Sequence, residues 1–159
     1  KYYIKIRNFC LNKRAQLIFK ITALLLLFAS CSEGNKNSGL YKNALNQNHI
    51  ENQKYVVVVP GAGCGGCISN ATYFLVNNYS KIKDSVTIVF TGVMDKKLLK
   101  NEVGEEFLKN PNVKIDQDNY FLAPEIVSNY PQVISFKGND GEIGEIQNFD
   151  DNTYNSIIQ

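Results

Sequence analysis

The stretch "KYVVVVPGAGCGGCISNATYFLV", residues 54–76, constrains the fold more tightly than any other part of the chain. Val56, Val57, Val58 and Val59 form a β-branched run that Pro60 closes. A run without polar alternation predicts a strand buried on both faces, inside a sheet covered by helices. Beyond a glycine-rich loop, Ile68, Ala71, Phe74, Leu75 and Tyr79 recur at helical spacing. Cys64 and Cys67 therefore fall between a strand end and a helix start. Two cysteines at that spacing leave three chemistries open: a redox couple, part of a metal site, or a structural staple.

The rest of the chain supplies partners for this strand and helix. "SVTIVFTGV", residues 85–93, reads as a second apolar strand, and Asp95 as the cap of a helix over "KKLLKNEVGEEFLKN" that Asn110 and Pro111 end. A short strand is expected over Val113–Ile115, and a helical turn or short helix over "APEIVSNY". "QVISF" and "EIGEIQ" flank the turn "KGNDG" and predict a hairpin, which leaves Asp151–Gln159 for a final helix. This order predicts an α/β layer fold with a mixed central sheet flanked by helices, with right-handed parallel crossovers in its first half. A length of 159 residues suits one such domain.

The N-terminal thirty residues follow a different logic. Lys1, Lys5, Arg7, Lys13, Arg14 and Lys20 precede the apolar run Ile21–Ala29, and no carboxylate occurs before Glu33. This is the pattern of an export signal, and the apolar run falls short of the roughly 20 residues that span a bilayer. "FASC", residues 28–31, resembles the lipobox of bacterial lipoproteins, although Phe28 stands where leucine is usual. The resemblance implies a signal peptide over 1–30, lipid on Cys31, and a protein held on a membrane of a bacterial cell envelope, periplasmic or surface-facing. An ordinary signal peptide or an uncleaved anchor are the alternatives. The chain opens on Lys, so its start is expected upstream. Residues 31–53, rich in Asn, Ser, Gly, Lys and Gln, read as a lipidated cysteine and flexible polar tether, with a short helix over Leu40–Leu45 as its only candidate element. The folded domain is then expected over 54–159.

Cleavage before Cys31 would remove six basic residues and leave 11 against 15 acidic ones, a net charge of −4. The basic balance of the whole sequence thus belongs to the targeting segment, and no basic cluster with interleaved aromatics points to nucleic acid. With Cys10 removed and Cys31 lipidated, Cys64 and Cys67 can pair only with each other. Zinc needs three or four protein ligands, and the single histidine, His49, lies in the expected tether, so no metal site is expected; copper(I), which accepts two thiolates, is a minor alternative. No Gly-Lys-Ser/Thr follows the glycines to make a phosphate cradle. At a helix N-terminus, unsatisfied amides and the macrodipole favour a thiolate, which suits Cys64 to attack and the more buried Cys67 to resolve a mixed disulfide.

"CGGC" after a buried strand and opening a helix, with "YPQVISF" some sixty residues on and a Gly-containing hairpin after it, resembles the thioredoxin family over about residues 54–147. The resemblance implies a three-layer fold and thiol-disulfide oxidoreductase activity that needs no cofactor. Its partners would be protein thiols or disulfides and a redox partner. Pro131 matches the family's cis-proline at the start of the strand facing the active site, and Tyr130 with Pro131 would shape a peptide-docking surface. Gly63 replaces the usual aromatic residue, Gly66 the common proline, and Val58 the buried acidic residue of the first strand. The final helix is also short, which could leave one sheet face partly open. These departures keep a second function in play: a binding module that docks a protein, with Cys64–Cys67 as a structural disulfide.

Overall fold

The computed structural model describes residues 37–158 apart from 52, 139 and 140. The expected signal peptide and Cys31 lie outside the described residues. The elements run α1 (Ser38–Gln47), β1 (Tyr55–Pro60), α2 (Gly65–Ile82), β2 (Val86–Thr91), α3 (Lys96–Val103), α4 (Glu105–Leu108), β3 (Val113–Asp116), a 3₁₀ turn (Tyr120–Leu122), β4 (Gln132–Lys137), β5 (Glu142–Asn148) and α5 (Asp151–Ile158).

The valine run is the middle of a five-stranded sheet in the order β3-β2-β1-β4-β5. β2 runs parallel to β1 and β3 parallel to β2, whereas β4 is antiparallel to β1 and β5 to β4. Alternate side chains of β1 enter opposite cores, as the period of two in a strand requires. Val57 and Val59 pack with Ala71, Leu75 and Ile82 of α2, Leu99 of α3, Phe107 of α4 and Ile157 of α5. Val56 and Val58 pack on the other face with Tyr41, Ala44 and Leu45 of α1, and with Phe121 and Ile126. A mixed sheet with helices on both faces is the α/β, thioredoxin-like three-layer arrangement.

Two local expectations are corrected and a third is narrowed. First, the flexible tether does not extend to residue 53: Ser38–Gln47 is a helix, and the folded unit begins at Asn37. Tyr41, Ala44 and Leu45, spaced i, i+3 and i+4, form an apolar stripe that is buried on the sheet together with Ile50. Second, the helix after Asp95 is broken by Gly104, whose φ of 88° no helix accommodates. Asp95 does cap it, its Oδ1 accepting from the Lys97 and Leu98 amides at 2.7 and 3.2 Å. Third, of the helical turn or short helix expected over "APEIVSNY", the turn forms, with the Ile126 and Val127 amides both donating to the Ala123 carbonyl at 2.9 Å, but no helix follows, and the 3₁₀ turn precedes it.

Although α5 has only eight residues, it is backed by aromatic packing. The Phe74 ring of α2 stacks on Tyr154 at 4.1 Å and meets Phe149 edge-on at 5.7 Å. Burial, with the nearby Asp151 and Asp150 carboxylates, raises the Tyr154 phenol above its ordinary pKa.

Asp116 is the one ionisable side chain buried to this depth among the described residues, at 2% exposure. Its carboxylate accepts from Thr91 Oγ1 at 2.8 Å, Asn48 Nδ2 at 3.1 Å, and the Tyr120 and Phe121 amides at 3.0 and 2.9 Å. It thereby ties the end of α1, β2, β3 and the 3₁₀ turn together.

If α1 is a layer of the core, a chain beginning at Lys54 loses the cover over Val56, Val58 and Ile134. Burial of side chains such as Tyr41, Leu45 and Ile50 contributes about 1.5–3 kcal/mol each, a large share of a typical domain's roughly 5–15 kcal/mol. Urea denaturation is expected to show a cooperative transition for a chain beginning at Asn37, and a strongly weakened or absent one for a chain beginning at Lys54.

Candidate active site

The two cysteines sit where the parallel strands end. β1 finishes at Pro60, and the Gly61 amide donates to the Thr91 carbonyl at 2.7 Å, which keeps the loop close to the end of β2. A Cβ on Gly61 would come within 2.3 Å of the Gly92 carbonyl oxygen, so this close approach requires glycine. The chain then turns into α2 with Cys64 as its N-cap.

Cys64 and Cys67 are joined as a disulfide, with their Cα atoms 5.3 Å apart. Both are half-buried, whereas Gly65 and Gly66 between them are exposed. The Cys67 amide approaches the Cys64 sulfur at 3.4 Å, so the first turn of α2 points a backbone donor at that atom. No acidic side chain lies in this turn to oppose negative charge there.

The segment before β4 closes the site from the other side. The Cys64 amide donates to the Asn129 carbonyl at 2.8 Å. Gly63, at φ 138°, permits the contact, because a Cβ there would lie 2.3 Å from the same oxygen. Two residues on, Pro131 is fully buried and its carbonyl accepts from the Phe149 amide at 2.7 Å. Between them Tyr130 projects, 48% exposed. Cys64, Cys67, Tyr130 and Pro131, far apart in sequence, thus share one end of the sheet. Among the described residues no peptide bond is cis, so the Tyr130–Pro131 bond is trans, which corrects the expectation of a cis-proline. Trans is the lower-energy form of an X-Pro bond, and here the carbonyls on either side are both satisfied, one by Cys64 and one by Phe149.

Two features escaped sequence reasoning. Asn129 reaches Cys64 through its backbone, which carries no residue signature; the glycine at 63, in place of a larger residue, was the available sign. The first strand carries no carboxylate near Val58, and the buried carboxylate among the described residues is Asp116, two strands away on the face covered by α1. α2, which carries Cys67, covers the opposite face. Among the described residues no three His, Cys, Asp or Glu side chains gather as metal ligands. An open cleft of about 1060 Å³ lies at the other end of the sheet, lined by Lys54, Ser85 and Phe136 among others, and is remote from the cysteines. No described helix is long and apolar enough to cross a membrane.

Fold and site together define a CxxC disulfide at the start of a helix on a thioredoxin-like sheet. No protein-family model and no curated protein matches the chain. Among solved structures it is similar to the thioredoxin domain of a thiol-disulfide oxidoreductase from Bacteroides vulgatus, with 23% identity, a TM-score of 0.47, and coverage of 71% of this chain and 81% of that one.

The glycines of the loop are expected to differ in tolerance. Gly63→Ala meets the Asn129 carbonyl and an unfavourable φ, and should cost about 1–3 kcal/mol in urea denaturation while loosening the disulfide toward reductants. Gly65→Ala and Gly66→Ala meet nothing within 4 Å and should be neutral or stabilising by up to about 1 kcal/mol.

Proposed function

We propose that this protein is a thiol-disulfide oxidoreductase of a bacterial cell envelope, tethered to a membrane by lipid on Cys31, that exchanges disulfides with partner proteins through Cys64 and Cys67. The observation that carries the reading is the Cys64–Cys67 disulfide at the N-terminus of α2, half-buried and bordered by the exposed Gly65 and Gly66. The basic and apolar N-terminal segment ending in "FASC" supports the location.

The chemistry follows from the position of each sulfur. In the reduced protein, the Cys64 thiolate lies against the positive end of α2, which favours the charged form. It attacks one sulfur of a substrate disulfide, forming a mixed disulfide and releasing the other substrate sulfur as a thiolate. Cys67, one turn on, then attacks Cys64 Sγ as a thiolate, releasing the second substrate sulfur and forming the intramolecular disulfide. Two electrons pass from the protein to the substrate, and a redox partner of matching potential restores the dithiol; run in reverse, the same steps oxidise a substrate. The protein groups suffice for each bond change, so no cofactor enters. Tyr130 and Pro131 would shape the surface against which the substrate backbone lies.

A second reading, a binding module with an inert disulfide, draws on the absence of a buried carboxylate near Val58 to receive the Cys67 proton. The two readings part on trapping. Cys67→Ser is expected to accumulate a mixed disulfide with a model protein disulfide, seen as a mass adduct released by dithiothreitol, while Cys64→Ser forms none and loses at least about 10³-fold in exchange rate. Adducts in neither variant, with no exchange by the unaltered protein, would favour the binding module.

A further inference from the structure

The disulfide end of the domain carries an excess of carboxylates. Residues 37–159 contain fourteen carboxylates and ten lysines, a net charge of −4. The segments at the disulfide end are those that follow β1, β2, β3 and β5 and the one that leads into β4. Where these segments leave or enter the sheet, over residues 61–67, 92–97, 117–131 and 149–151, and with Asp116 as the last residue of β3, they hold Asp95, Asp116, Asp118, Glu125, Asp150 and Asp151, opposed there by Lys96 and Lys97. These six carboxylates and two lysines sum to −4 at the disulfide end. Asp116 is buried among neutral donors, and the other five carboxylate residues are exposed. The same end presents the exposed apolar side chains Val127 and Tyr130, each 48% exposed, and Met94, 94% exposed.

We propose that this end selects cationic partners: a disulfide flanked by lysine or arginine in a protein segment whose apolar residues rest on Tyr130 and Val127. The proposal rests on the reading of Cys64–Cys67 as an exchange site and names the substrate class of that site. Like-signed charge confined to one face steers an oppositely charged partner toward it and raises the encounter rate, whereas an anionic segment is repelled. The charged residues belong to separate strand ends, so the field surrounds the disulfide and is not a property of one helix. Over a screening length of about 8 Å at physiological ionic strength, carboxylates on neighbouring loops act together on a bound peptide.

The test uses two peptides with an identical cystine core, one flanked by lysines and one by glutamates, with exchange measured as kcat/KM in about 20 mM and about 500 mM salt. At low salt the lysine peptide is expected to react at least about tenfold faster, with the ratio falling toward one at high salt. Combined Asp118→Asn, Glu125→Gln and Asp151→Asn should cut the low-salt ratio at least threefold, while the rate with uncharged dithiothreitol stays the same. Equal rates for the two peptides at low salt, with dithiothreitol still exchanging, would overturn charge selection and leave the exchange reading standing. A ratio that neither salt nor the triple variant moves would overturn it as well. Exchange with none of the three reagents would remove both the exchange reading and this proposal.

Discussion

The hydrogen bond from the Cys64 amide to the Asn129 carbonyl, 2.8 Å long, is the constraint on which the site depends. It joins the end of the central strand to the segment that returns as β4, and it exists because Gly63 has no side chain to keep the two backbones apart. The consequences spread in both directions along the chain. On one side it fixes the N-cap of α2, and with it the direction in which the first helical amides point at sulfur. On the other it brings Tyr130 and the buried Pro131 beside the disulfide, although they are more than sixty residues away in sequence.

The sheet and the site make different demands on the sequence. β1 is apolar on both sides because helices cover both faces, and it carries no carboxylate beneath the cysteines. The buried carboxyl group among the described residues stands elsewhere, at Asp116, where four donors from separate segments hold α1, β2 and the 3₁₀ turn in register. A carboxylate so fully engaged is a structural clamp, and it stands on the face opposite α2. Gly65 and Gly66, between the cysteines, are exposed, and Cys67 itself is only partly buried.

Much of this was legible in the sequence, and the misses share one cause. The valine run, the helix after the cysteines, the Asp95 cap and the β4–β5 hairpin all announce themselves locally, by periodicity or by a capping residue. α1 does not. Tyr41, Ala44 and Leu45 have helical spacing, but they are diluted by asparagines, and the surface that they cover is built from Val56, Val58, Ile134 and Ile143, which the chain supplies later. Gly104 was read through because its neighbours are helical in pattern, whereas its backbone is not. Asn129 and Asp116 act through contacts between segments far apart in the chain, and no local pattern encodes these. Pro131 is expected beside the cysteines from the resemblance alone, and its peptide bond is trans where the resemblance implies cis.

The central claim is that the Cys64–Cys67 pair cycles between disulfide and dithiol under physiological conditions. The most direct measurement is its reduction potential, obtained by equilibrating residues 37–159 with glutathione or dithiothreitol buffers and trapping free thiols. A value between about −270 and −120 mV, the span of known exchange catalysts, is the expected result. A value well below about −300 mV would mark the bridge as structural and contradict the account.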